Sequence, residues 1–240
     1  MPEPLKRDFG STRWSLVLKA GGGRSPTSDE AFEALFKTYS GPMHSHLRRR
    51  GHTPDEADDL IQAFFAFVLE KGTLRRADPN RGRFRSFLLT SLTNFVTNEH
   101  DRETAQKRSP GTPPLSLDLE TVEGRFQIEP PTDETPEKVF DRHWARTVIQ
   151  QAFVRLRKEM SPAKALQFEH LKAHLAGDRV EGGYARTAAK LGMSEVAARQ
   201  EVMRLRLRLR HFIEEEVADT VSSPEEIEDE IRHLLSSLER

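Results

Sequence analysis

Apolar positions along this chain recur at helical spacing, in blocks cut by glycine and proline, and no section alternates as a strand would. A first apolar run, Trp14 to Leu18, ends at Gly21, Gly22, Gly23 and Pro26. A helix is expected from Ser28 or Asp29 to about Tyr39, carried by Phe32, Leu35 and Phe36. A short third segment is expected from Pro42 to Arg50, closed by Gly51. The next helix is the best delimited. Thr53 can cap it, Pro54 suits its first position, Glu56 completes a capping box, and Gly72 stops it. Another helix is expected from Phe84 to about Arg102, with Phe84, Phe87, Leu88, Leu92, Phe95 and Val96 on one side.

The pattern then breaks. Six of the fourteen prolines lie between Ser109 and Pro136 among acidic residues, the composition of a linker. Helical patterning resumes at Glu137 and runs to Glu216. The expected architecture is all-α: a helical domain over 1–108, an extended Pro-rich acidic linker over 109–136, a second helical domain over 137–216 and an acidic tail over 217–240. Charged residues at 31% against 36% apolar favour small helical units over one large core in these 240 residues. The absence of cysteine excludes disulfides, thiolate zinc sites and thiol catalysis. No apolar run approaches the roughly 20 residues that span a bilayer, and Met1 to Arg7 has no export signal. A soluble, cytoplasmic protein with no membrane partner is expected.

The net charge of −1 hides a segregation. Lys71 to Arg108 holds nine basic and four acidic residues, Tyr184 to Phe212 seven and two, and Ile213 to Arg240 two and ten. Two basic regions followed by an acidic tail suit a nucleic-acid binder, although basic helices are also ordinary solvated faces.

Three local patterns add chemistry. On the helix from Pro54, Leu60, Ile61, Phe64, Phe65, Phe67, Val68 and Leu69 form an apolar arc. Asp59, Gln62, Ala63, Ala66 and Glu70 lie opposite, a shallow alanine floor rimmed by carboxylates that can receive a basic partner helix or simply face solvent. On the helix from Phe84, Thr90, Thr93, Asn94, Thr97 and Asn98 make a polar face flanked by Arg85 and Arg102. These are poor surface helix formers, and their donors and acceptors suit phosphates and base edges. Arg75, Arg76, Arg81, Arg83 and Arg85 crowd the preceding loop around Phe84, as on a single-strand binding surface, with Phe87 read as core. The third pattern is Tyr184 to Leu191, a turn at Gly192 and a cap at Ser194. The following helix would bury Val202, Leu205, Leu209 and Phe212 while Arg199, Gln200, Met203, Arg204 and Arg206 point elsewhere, as in a helix-turn-helix.

Enzyme readings have little to stand on. His170 and His174 are four apart but lack the glutamate of a zinc hydrolase, His44 and His46 point to different faces, and no phosphate loop or nucleophile elbow exists. No catalytic residue, metal or cofactor is expected.

This order of parts resembles the extracytoplasmic-function class of bacterial RNA polymerase sigma factors, within the sigma-70 family, and most closely the subgroup abundant in planctomycetes. The resemblance rests on Phe9 to Val17, Asp58 to Gln62, Asp78 to Leu88, and Ala188 to Glu195. It implies a protein that binds core RNA polymerase and promoter DNA, as duplex and as opened single strand, with an anti-sigma factor or other regulator as a further partner and a nucleoid location. Asp58, Asp59 and Gln62 would meet the clamp coiled coil, with Ala63 standing where many members carry glutamate. Arg81, Arg83, Phe84, Arg85, Asn94, Asn98 and Arg102 would serve the minus-ten element. Ser194, Arg199, Gln200, Met203, Arg204 and Arg206 would serve the minus-thirty-five element, with Thr187 at a position usually apolar. The linker would run across the polymerase, and Trp14 is expected to pack into the first domain. The acidic tail is expected to compete with DNA for the second domain, or merely to keep the chain soluble. The rival reading is a stand-alone helix-turn-helix regulator that uses no polymerase.

Overall fold

The computed structural model describes residues 15–22, 25–78, 82–107, 134–175, 182–218, 220–221 and 223–238. Among these residues there are helices and turns and no strand. The expected linker lies almost entirely outside them, as do Trp14 and Arg81. Two compact units result. Unit 1 combines 1–144 with 218–240, and unit 2 is 145–217. These limits differ from those expected at 137 and 216, because both flanking segments find their partners in unit 1.

Unit 1 opens with α1 (Ser15–Gly21), which packs on α2 (Pro26–Arg49). Ser25 caps α2, and the Ser28 hydroxyl donates to the Ala20 carbonyl at 3.2 Å. The expected break at Pro42 does not occur, and α2 is one helix of 24 residues. Ala31, Leu35, Tyr39, Met43 and Leu47 form a continuous buried stripe through that point. Packing of this stripe outweighs the roughly 3 kcal/mol that an interior proline costs a helix.

Helix α3 (Pro54–Lys71) starts and stops as its sequence dictates. Thr53 Oγ1 accepts from the Glu56 amide at 3.3 Å, Glu56 Oε2 accepts from the Thr53 amide at 2.8 Å, and Gly72 closes the helix at φ 58°. A single 3-10 turn over Thr73–Arg76 follows, then α4 (Phe84–Lys107). Aromatic edges knit α2, α3 and α4 together. Phe65 meets Phe32 and Phe36 at 5.6 and 4.9 Å, Phe64 meets Phe95 at 5.6 Å, and Tyr39 meets Phe84 at 5.5 Å.

The start of α5 (Pro136–Lys158) and all of α9 (Glu225–Ser236) complete this unit. Phe140 lies edge-on to His46, and Trp144 lies beneath the Arg85 guanidinium. Helix α9 is amphipathic and acidic. It buries Ile231 and Leu234, each contributing about 1.5–3 kcal/mol, and also Glu230, which is 1% exposed. That carboxylate is tolerated because Arg85 Nε donates to it at 2.6 Å and Arg83 Nε lies 2.8 Å from its other oxygen. Arg85 also pairs with Asp141, which His233 Nε2 meets at 3.0 Å. Burial opposes the charge on Arg85, but the two carboxylates more than offset it, and the pKa is raised. Burial likewise pushes the Tyr39 hydroxyl up, with Glu230 adding to the shift.

Unit 2 contains the remainder of α5, α6 (Pro162–Leu175), α7 (Gly183–Leu191) and α8 (Glu195–Ala218) up to Val217. Leu156, Phe168, Leu171, Ala188, Val202, Leu205 and Phe212 belong to its core. Thr187 is buried there at the position expected to be apolar. Its hydroxyl is hydrogen-bonded to His174 Nε2 at 2.9 Å, and His174 stacks on Tyr184 with centroids 4.2 Å apart. A satisfied polar pair thus replaces an aliphatic contact. Arg155 pairs with Glu215 and Glu216 and lies over Phe212, so the acidic end of α8 is engaged within unit 2.

Two stability predictions follow from unit 1. Arg85→Met strands the Glu230 and Asp141 carboxylates and is expected to cost about 3–5 kcal/mol; Arg85→Met with Glu230→Met recovers part of it, as read by urea unfolding through tryptophan fluorescence. The second concerns His44 and His46, both buried and both with lowered pKa, chiefly through desolvation. The unfolded chain takes up protons on these rings near pH 6.5 while the folded chain does not. Stability present above that value is therefore lost as pH falls through it. Urea midpoints at pH 7.5 and 5.5 should show this loss, and His46→Gln should shrink it.

Candidate functional site

The exposed face of α3 is built by its register. The capping box fixes where the helix starts, and burial of Ala57, Ile61, Phe64, Phe65 and Val68 turns the opposite side to solvent. Asp59, Gln62, Ala63, Ala66 and Glu70 are all exposed on that side. Leu69 joins them at 56% exposure, although its spacing suggested the core. Asp58 does not share this face fully. Its carboxylate is 3.6 Å from His44 Nε2 and its side chain is 18% exposed. Burial pushes its carboxyl up while His44 draws it down. Asp58 is therefore partly turned toward His44 of α2, and Asp59 and Gln62 remain as the outward pair.

The arginine-aromatic loop before α4 departs from its expected open form. Phe84 is fully buried against Tyr39 and stacks near Phe87, which is the more exposed of the two. Phe84 is thus not the expected open aromatic, because it is the ring that meets α2, while Phe87 is half-buried. Arg85 is 8% exposed and engaged by Glu230 and Asp141. Arg83 retains 33% side-chain exposure and pairs with Glu230. Neither arginine offers a strand an open guanidinium while α9 is docked.

Further along α4, the polar face is open. Asn94, Asn98 and Arg102 are exposed, with Arg102 held by Glu99 at 2.6 Å. Thr93 and Thr97 turn their hydroxyls to the carbonyls of Leu89 and Thr93, at 3.0 Å each, so the threonines bond their own helix. One residue was missed from sequence. Arg50, at the end of α2, is exposed and reaches Thr93 Oγ1 at 3.5 Å, adding a cation to this face. Its only signal was the run Arg48, Arg49, Arg50, which reads equally well as the basic end of a helix.

In unit 2, α7 ends at Gly192 with φ 64°, and Ser194 Oγ accepts from the Ala197 amide at 3.1 Å to start α8. Helix α8 buries Ala198, Val202, Leu205, Leu209 and Phe212. Its exposed side carries Arg199, Gln200, Met203, Arg204 and Arg206. The arginines are oriented by neighbours. Arg199 lies 5.2 Å from the Tyr184 ring centroid and bonds Glu195, Arg204 is 3.1 Å from Glu201, and Arg206 donates to the His174 carbonyl at 2.6 Å. Val196, Met203 and Leu207 make an exposed apolar line between them.

The remaining candidates do not assemble. His170 is exposed while His174 is buried on Thr187, so the two imidazoles share no site. Among the described residues no group of three or more His, Asp or Glu could hold a metal ion, and no helix is long and apolar enough to cross a membrane. Helix α9, whose charge suggested competition at the second domain, packs instead within unit 1, where its partners Arg83 and Arg85 lie.

No curated protein and no solved structure matches the chain. Residues 35–106, from the middle of α2 through α3 to the last turn of α4, match the family model for sigma-70 region 2. That segment contains both the outward face of α3 and the polar face of α4. The match over this segment supports a sigma-70 family sigma factor, with a role in promoter recognition and RNA polymerase binding.

Proposed function

We propose that this chain is a promoter-specificity subunit of the extracytoplasmic-function class, with no catalysis of its own. Asp59 and Gln62, on the alanine floor of α3, dock on the clamp coiled coil of core RNA polymerase. Asn94, Asn98 and Arg102, joined by Arg50, meet the minus-ten element, with Arg81 of the preceding loop as a further candidate. Neutral amides beside arginines suit this task, because base edges need oriented donors and acceptors while phosphates need charge. Unit 2 reads duplex DNA at the minus-thirty-five element through Ser194, Arg199, Gln200, Met203, Arg204 and Arg206. The short α7, tight glycine turn and longer basic α8 support a helix-turn-helix docked in a major groove.

The single observation carrying the reading is that the exposed carboxylate-and-alanine face of α3 falls within the region 2 match. A regulator acting without polymerase has no use for such a face.

The test is binding of the purified chain to bacterial core RNA polymerase, wild type beside Asp59→Lys. The wild type is expected to bind in the nanomolar range, and the variant to bind roughly thirtyfold more weakly or worse, since it sets an ammonium against a basic partner. Binding by neither, with both chains helical, would favour the regulator that acts on DNA alone.

A further inference from the structure

Three groups that a nucleic-acid phosphate would seek lie together at the start of α4, and the C-terminal strap of this chain occupies all three. The Phe84 amide at the first turn of α4 donates to the Thr220 carbonyl at 3.3 Å. Arg85 Nε donates to one oxygen of Glu230 at 2.6 Å, and Arg83 Nε lies 2.8 Å from the other. One carboxylate bridging two guanidiniums beside a helix N-terminus is the arrangement in which two phosphate oxygens would also be held.

We propose that α9 is an internal competitor for promoter DNA, its Glu230 carboxylate standing on Arg83 and Arg85 where a phosphate of the opened strand binds. The inference rests on reading unit 1 as the minus-ten binder and adds a regulated step to it. Helix α9 is suited to the role. It carries five acidic residues and one arginine, so while docked it sets a net negative charge beside Arg83 and Arg85. Its hold on unit 1 is limited, with Ile231 and Leu234 as its buried apolar side chains, while Glu225, Glu228, Asp229 and Leu235 face solvent. Leaving Arg85 does not strand that guanidinium, because Asp141 stays paired with it and the incoming phosphate takes the place of Glu230. Arg83, a third exposed at its side chain, is the first contact open to the strand. Docking of α9 and strand binding are then mutually exclusive at one pair of arginines. Unit 1 holds DNA weakly until α9 is displaced.

The probe is a DNA bubble whose non-template strand carries the sequence enriched from a randomised pool by the full chain bound to core polymerase. The first readout is amide exchange over residues 225–236 of the wild-type chain in that complex, with and without saturating bubble DNA. The proposal expects α9 amides to lose protection as DNA binds. The second readout is affinity for the same bubble. Glu230→Gln keeps the side-chain shape and removes the charge, and is expected to bind about tenfold more tightly, with the gain abolished in Arg83→Ala/Glu230→Gln. Unchanged α9 protection on DNA binding, with no gain in Glu230→Gln, would make α9 a permanent clamp and overturn the proposal while leaving the promoter reading intact. Failure of polymerase-bound chain to enrich or bind any bubble would overturn the promoter reading, and the proposal with it. The exchange measurement uses the wild-type chain, so it decides the matter even if the variants are destabilised.

Discussion

A guanidinium cannot be buried without its counter-charges, and in this protein the counter-charges of Arg85 arrive late in the chain. Asp141 lies 56 residues on and Glu230 lies 145 residues on. With Arg85 buried beside Trp144, a guanidinium left without an anionic partner would be costly, so Asp141 together with an anion at the Glu230 position keeps it there. That requirement explains why unit 1 is discontinuous, drawing on the start of α5 and the whole of α9 as well as on α1 to α4. It also explains why the expected boundaries at 137 and 216 shift. Phe140 and Trp144 are held by His46 and Arg85, and α9 by Arg83 and Arg85, all of them unit 1 residues.

The same ion-pair cluster divides the basic surface of unit 1 into an engaged part and an open part. Arg83 and Arg85 are engaged, and Asn94, Asn98, Arg102 and Arg50 are open. The exposed face of α3 is separate from both, since Asp59 and Gln62 lie outward while Asp58 turns in to His44. On the proposed reading, substitutions on the α3 face and on the α4 face should therefore act independently. Unit 2 follows a different rule. Its exposed arginines are oriented by partners on the same small unit, such as Arg206 by the His174 carbonyl and Arg199 by Tyr184, so the geometry of α8 is preset locally.

How much of this the sequence discloses depends on the range of the forces involved. The limits of α3 were legible because a capping box and a glycine stop are settled within a few residues. So was the outward face of α3, where alanines and carboxylates repeat at helical spacing. Continuity of α2 through Pro42 was not, because the stripe from Ala31 to Leu47 that overrides the proline depends on partners elsewhere in the fold. Phe84 and Phe87 share one apolar side of α4, and only the position of Tyr39 decides which ring is buried. Helix α9 was obscured by its charge. Ile227, Ile231 and Leu234 do recur at helical spacing, but five carboxylates around them read as a solvated tail until Arg83 and Arg85 supply a reason to bury one. The role of Arg85 could not be assigned from its neighbours in sequence, because basic loops and buried ion pairs use the same residue.

The central claim is that this chain directs RNA polymerase to promoters, and the most direct measurement is transcription itself. Bacterial core polymerase would be supplied with genomic DNA of the source organism, with and without the purified chain, and the 5′ ends of the transcripts sequenced. The account predicts a discrete set of start sites that appear only with the chain and share two sequence elements upstream. Identical transcripts in both reactions, from a folded chain and active core enzyme, would contradict it.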